Sequence, residues 1–219
     1  MLRSQFDDEL NNMHVDLDRM CHLVIQAIEN CVTAFKNQDF DLAKEIIEND
    51  KAINNVERAI ESKCLALILK QQPVASDLRD VSTALKVVTD LERIGDQSAD
   101  IAELILEIDE QNSFLMVEHI PAMADIAIKM VTKALNAFHE HDVMKAKEVK
   151  KTDQEMDRLF DNVKNELIKI VKEDKDNVDL SIHFLMIAKY FERIGDHVVN
   201  ICEWIEFSQT GRLNDQRLI

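Results

Sequence analysis

A chain that carries one unit twice can adopt only those folds in which both copies bury the same face, and this chain carries one unit twice. Ala34-Phe35, Asp39, Ala43-Lys44-Glu45 and Asp50 recur 103 residues on as Ala137-Phe138, Asp142, Ala146-Lys147-Glu148 and Asp153. Glu92-Arg93-Ile94-Gly95-Asp96 recurs 100 residues on as Glu192-Arg193-Ile194-Gly195-Asp196. One offset held over two segments, followed by a loss of three residues, is the trace of a duplication. Chance similarity scatters.

Each copy reads as three long helices. In the first they run from about Ser4 to Lys36, Asp41 to Lys70 and Val74 to Ile108; the second copy runs from about Met116 to Phe207. The 219 residues include only 3 Gly and 2 Pro, too few for a turn-rich β fold. Leu78, Val81, Leu85 and Val88 are spaced 3, 4, 3, and the stripe continues to Leu106, which marks the core face of the third helix. Asp39 and Asp142 stand where helix N-caps belong, Pro73 fits the first turn of the third helix, and the Lys172–Asp176 charge run makes the matching break in copy two. The expected fold is all-α, two homologous three-helix bundles side by side, over residues 1–110 and 114–219, with Gln111-Asn112-Ser113 as the link.

The formal net charge of −16 disfavours nucleic acid and anionic lipid surfaces and favours cations or basic protein patches. No apolar run is long enough to cross a membrane, and the N-terminus turns acidic where the apolar core of a signal peptide belongs, so a cytoplasmic protein is expected. Cys21, Cys31, Cys64 and Cys202 have no CxxC spacing and read as reduced thiols in or near the core.

Chemistry concentrates on carboxylates. Glu92, Asp96, Asp100 and Glu103 fall within an arc of about 80° beside the apolar stripe. Glu192, Asp196, Asn200 and Glu203 repeat the row. The second helix carries Asp50, Asn54, Glu57 and Glu61, matched in copy two by Asp153, Asp157, Phe160 and Lys164. An antiparallel pairing of helices two and three brings the rows face to face, where several oxygens suit a hard or borderline cation. The plain alternative is a solvated acidic face. Gly95 and Gly195 sit mid-helix, where Gly costs about 1 kcal/mol against Ala, so close helix contact is expected at both. None of the seven histidines has Glu three residues earlier, which excludes the paired Glu-x-x-His of a di-iron oxidase. His197 reads as a surface histidine and His139-Glu140-His141-Asp142 as a polar turn. No Gly-rich phosphate loop and no nucleophile with a base is present, so no enzyme is expected.

At QPVASDLRDV (Gln72–Val81), DLERIGD (Asp90–Asp96), DKAINNVE (Asp50–Glu57) and FERIGDHVVNICEW (Phe191–Trp204) the chain resembles the PhoU family, the accessory regulators of bacterial phosphate uptake. The resemblance spans essentially the whole chain. It implies a cytoplasmic protein, often a homodimer, that works with the ATPase subunit of the phosphate ABC importer and with a phosphate-sensing histidine kinase. Its role would be to restrain uptake and the starvation response when phosphate is plentiful. It also implies iron or zinc clusters on the E/DxxxD motifs. That carries over to Glu92, Asp96 and Asp100, and to Glu192 and Asp196, with Asp50, Asn54, Glu57, Asp153 and Asp157 contributed by the second helices. The departures are Asn200 opposite Asp100, Tyr190 opposite Asp90 and Phe160 opposite Glu57, which leave the second site poorer in oxygens. A metal-dependent hydrolase and a metal-buffering helical protein are the other functions open to such carboxylates.

Overall fold

The computed structural model describes residues 2–71, 73, 75–108, 117, 119–213 and 216–217. Six helices follow in order: α1 (Leu2–Asn37), α2 (Phe40–Gln71), α3 (Ala75–Glu107), α4 (Ile120–His139), α5 (Val143–Glu173) and α6 (Val178–Thr210). A 3₁₀ turn at Lys175–Asn177 precedes α6, and after α6 Arg212–Leu213 pairs antiparallel with Gln216–Arg217. The link at 111–113 and the unit limits at 110 and 114 lie outside the described residues.

The duplication is visible down to the turns. Gln38 (φ 53°) and His141 (φ 51°) both take the left-handed conformation. The next residue in each turn caps the following helix: Asp39 Oδ1 accepts from the Leu42 amide, and Asp142 Oδ1 from Met144 and Lys145. Asp39 N–H also closes back on the Ala34 carbonyl at 3.0 Å, as Asp142 does on Ala137 at 2.9 Å. The Lys172–Asp176 run breaks the chain as expected, with Asp174 accepting from the Asp176 amide. Pro73 lies two residues ahead of Ala75, before the helix and not in its first turn. Gly211, at φ 66°, ends α6 in the left-handed conformation that suits glycine.

Within each half the third helix packs on the other two, α3 on α1 and α2, α6 on α4 and α5. The halves meet through α3 against α6 and α1 against α4. Arg79 pairs with Ser208, Thr83 with Trp204, Asp90 with His197 and Asn200, and Glu107 with His183. Positions rise along α3 as they fall along α6, so the two helices run antiparallel. One buried apolar cluster spans both halves, with Phe35 of α1 edge-on to Phe184 of α6 at 5.4 Å. All four cysteines are free and buried; burial pushes the thiols of Cys21, Cys64 and Cys202 up to about 12, which leaves them inert at neutral pH.

Candidate functional site

The glycines explain how the acidic rows meet. A methyl group on Gly95 would lie 2.9 Å from Ile53 Cδ1 and 3.5 Å from Asp50 Oδ1. On Gly195 it would lie 2.8 Å from Asp153 Oδ1 and 3.4 Å from Met156 Cγ. Each bare backbone therefore lets the second helix of its half press in and seats an aspartate directly over the third helix. Ile53 and Met156 are duplicates, as are Asp50 and Asp153, so both halves make the same close approach.

In the first half the rows converge. Asp50 feels the charges of Asp96 and Asp100, and Glu57 those of Glu61 and Asp96; Glu92 feels Asp96, Glu57 and Asp50. Burial first, and then these like charges, hold Asp50, Glu57 and Glu92 above the usual carboxylate range. Asn54 Nδ2 donates to Asp50 Oδ2 at 2.8 Å. Asp50 Oδ1 and Asn54 Oδ1 are buried and have no hydrogen-bond partner. Arg93 supplies a cation at the rim, 3.0 Å from Asp96 and 3.5 Å from Glu92. A cavity of about 170 Å³ opens beside Asp50 and Gly95.

The second half is built differently. Burial, then Asp157, Asp196 and Glu192, push Asp153 up to about 6. Glu192 is paired with Lys189, where the first half has Thr89. Phe160 stands in the place of Glu57, with Lys189 Nζ 5.5 Å and Lys164 Nζ 6.0 Å from its ring centre. An aromatic ring and built-in ammonium groups thus occupy ground that carries oxygens in the first half. Asp157 and Asp196 are exposed.

Two of the departures prove to be partners of each other's counterparts across the seam between halves. Asn200 Nδ2 donates to Asp90 Oδ1 at 3.3 Å, and the Tyr190 hydroxyl donates to Asp100. Residues 100 and 200 are duplicates, and so are 90 and 190. The duplicated arrangement therefore sets position 90 against 200 and 100 against 190, and each contact holds one carboxylate and one neutral donor. His197 completes the seam: its Nδ1 donates to Asp90 Oδ1 at 2.9 Å, so it is a half-buried bridging group and not the surface histidine expected. Asp100 belongs as much to this seam as to the acidic cluster. The sequence marked 190 and 200 as departures, but nothing local to either position points to its partner on the other half.

The first-half residues fit a cation by the chemistry of the donor set and by the two orphaned oxygens. Among the described residues, no three His, Cys, Asp or Glu side chains already converge on one ion-sized point, so binding requires side-chain rotation.

Two three-helix units of one topology, joined by their third helices and lined with paired acidic rows, define a duplicated helical protein of one specific kind. The chain belongs to the PhoU domain family, whose model matches twice, over residues 17–105 and 120–205. It is 39% identical over 219 residues to the phosphate-specific transport system accessory protein PhoU homolog of Clostridium acetobutylicum, covering 98% of this chain and 100% of that one. It is 34% identical over 211 residues to the phosphate-specific transport system accessory protein PhoU of Escherichia coli, covering 96% of this chain and 88% of that one. The crystal structure of PhoU from Pseudomonas aeruginosa superposes with a TM-score of 0.89 at 31% identity, over 94% of this chain and 100% of that one.

Proposed function

We propose that this chain is a cytoplasmic, non-enzymatic accessory protein of phosphate transport. It restrains the phosphate ABC importer and the starvation response by contacts with the importer's ATPase subunit and with a phosphate-sensing histidine kinase, acting as a homodimer. The observation that carries this reading is end-to-end identity of 39% with an accessory protein of the phosphate-specific transport system. The acidic surface is in keeping with a protein that docks on basic protein patches and not on anionic lipid. Among the described residues, no helix is long and apolar enough to cross a membrane. The test is deletion in a host without a paralogue. Phosphate uptake and starvation genes should be derepressed in high phosphate, and normal control would reject the proposal. Capture with the purified ATPase subunit tests the partner separately.

The same reading assigns a metal ion, iron or zinc, to the carboxylates. Asp50, Asn54, Glu57, Glu92, Asp96 and Asp100 would hold it in the first half, and Asp153, Asp157, Glu192 and Asp196 in the second. Bound there, the ion supplies positive charge that relieves repulsion among the carboxylates. The chain's own contribution is the close seat over Gly95 and Gly195, which fixes the second-helix aspartates opposite the third-helix row.

A further inference from the structure

Away from the carboxylate rows, imidazoles gather where the first helix of one half meets the α4–α5 turn of the other. His14 stacks obliquely on Phe138 and His139, with ring centres 5.4 Å and 5.7 Å away. His139 Nε2 donates to Asp18 Oδ1 at 2.6 Å, one turn along α1 from His14. His141, held in the left-handed turn, accepts from Gln209 Nε2 at 3.2 Å at the end of α6. Nothing equivalent exists in the first-half turn, where Lys36 and Gln38 stand at the matching positions.

We propose that His14, His139 and His141 form a proton-sensitive clasp between the two halves, which holds α1 against the α4–α5 turn while His14 is neutral and loosens as His14 takes up a proton.

The strength of the clasp depends on charge balance. Asp18 on α1 faces His139, and Asp80 on α3 lies within electrostatic reach of His141. Asp80 is also shared with Arg79 and repelled by Asp77. Within the turn, Glu140 is committed to Lys145 and Asp142 to capping α5. His22, farther along α1, is exposed and donates from Nδ1 to the Asp18 carbonyl at 2.7 Å. From α6 the neutral Gln209, bonded to Ser208 beside it, reaches the turn. Among the described residues, Asp18 and Asp80 are the carboxylates that face these three imidazoles, and His14 has to share Asp18 with His139. Burial, then the charges of His139 and His141, hold His14 below the usual 6.5, with only Asp18 pulling the other way. A histidine lowered in the closed clasp takes up its proton more readily when the clasp opens. The contact is therefore at full strength above pH 6.5 and weakens as pH falls below it.

Hydrogen exchange on the full chain, corrected for intrinsic rates, tests this at about pH 7.5 and 5.5. Peptides covering His14–His22 and Phe138–Asp142 should lose protection roughly three- to tenfold at the lower pH, while the α2 interior holds. His14→Phe keeps a ring against Phe138 and removes the titration, and should abolish the response. Equal protection of the parent at both pH values, or an unchanged response in His14→Phe, overturns the clasp. Should that variant fail to fold, imidazole NMR on the parent decides: a His14 midpoint below 6.5 supports the proposal, and one at or above it rejects it.

Discussion

At the scale of single residues, the two mid-helix glycines are duplicates in sequence but not in what surrounds them. An alanine at Gly95 meets Ile53 Cδ1 at 2.9 Å and Cγ2 at 3.1 Å, so both arms of a branched, buried side chain must shift together. At Gly195 the obstacle is the carboxylate tip of a half-buried aspartate, which can swing outward. Alanine gains about 1 kcal/mol of helix propensity at either site, while overpacking costs about 1–3 kcal/mol. Gly95→Ala is therefore expected to destabilise by about 1 kcal/mol and Gly195→Ala to be near neutral, as read by urea denaturation; equal losses would refute the distinction. Asp153 adds a pH effect. Its folded pKa of about 6 stands above the usual 3.8, so its charge opposes folding above pH 6, and that opposition fades as pH falls through 6 towards 4. Discounted for partial exposure, Asp153→Asn should stabilise the metal-free protein by about 1 kcal/mol at pH 7 and by nothing near pH 4.

At the scale of elements, the α3–α6 seam depends on complementary pairs in which one member of each duplicated couple has lost its charge. Asn200→Asp sets two carboxylates where a 3.3 Å hydrogen bond stood, and should cost roughly 1–2 kcal/mol. The swap Asp90→Asn with Asn200→Asp restores one acid and one amide. It should recover most of that loss, apart from the part due to His197, which then has an amide in place of its carboxylate partner. A double-mutant cycle by thermal melting checks this; simple additivity would mean that the two residues do not interact. Tyr190→Phe removes the donor to Asp100 and should cost about 1 kcal/mol.

At the scale of the whole molecule, the two halves share a topology and differ in electrostatics. The first keeps Asp50, Glu57, Glu92, Asp96 and Asp100 with Arg93 at the rim; the second carries Phe160 and the Lys189–Glu192 pair. Affinity for a cation rises with the number of charged oxygens that can reach it. Asp96→Asn should therefore reduce bound iron or zinc, and the accompanying rise in melting temperature, more than Asp196→Asn does. Metal analysis of both variants is the check. Equal losses, or no metal in the parent under any loading, would leave a plain acidic face.

Much of this was legible in the chain alone. Period and composition fixed six helices, the offsets of 103 and 100 fixed the duplication, and the mid-helix glycines announced close contacts that the second-helix aspartates and their neighbours then filled. These properties are set by residues three, four or seven positions apart on one helix, or by identity between copies, and both are written locally. Which helix of one half meets which of the other is not written locally. Asp90 and Asn200 are 110 residues apart, and their contact exists only because α3 and α6 pack antiparallel about the seam. For the same reason His197 read as a surface group and His139-Glu140-His141-Asp142 as a plain polar turn, until packing brought Asp18 and His139, 121 positions apart, within 2.6 Å. Sequence determined the unit and its repetition; tertiary structure decided what the two copies do to each other, because the electrostatics of a seam depend on through-space distance and burial, which no periodicity along the chain encodes.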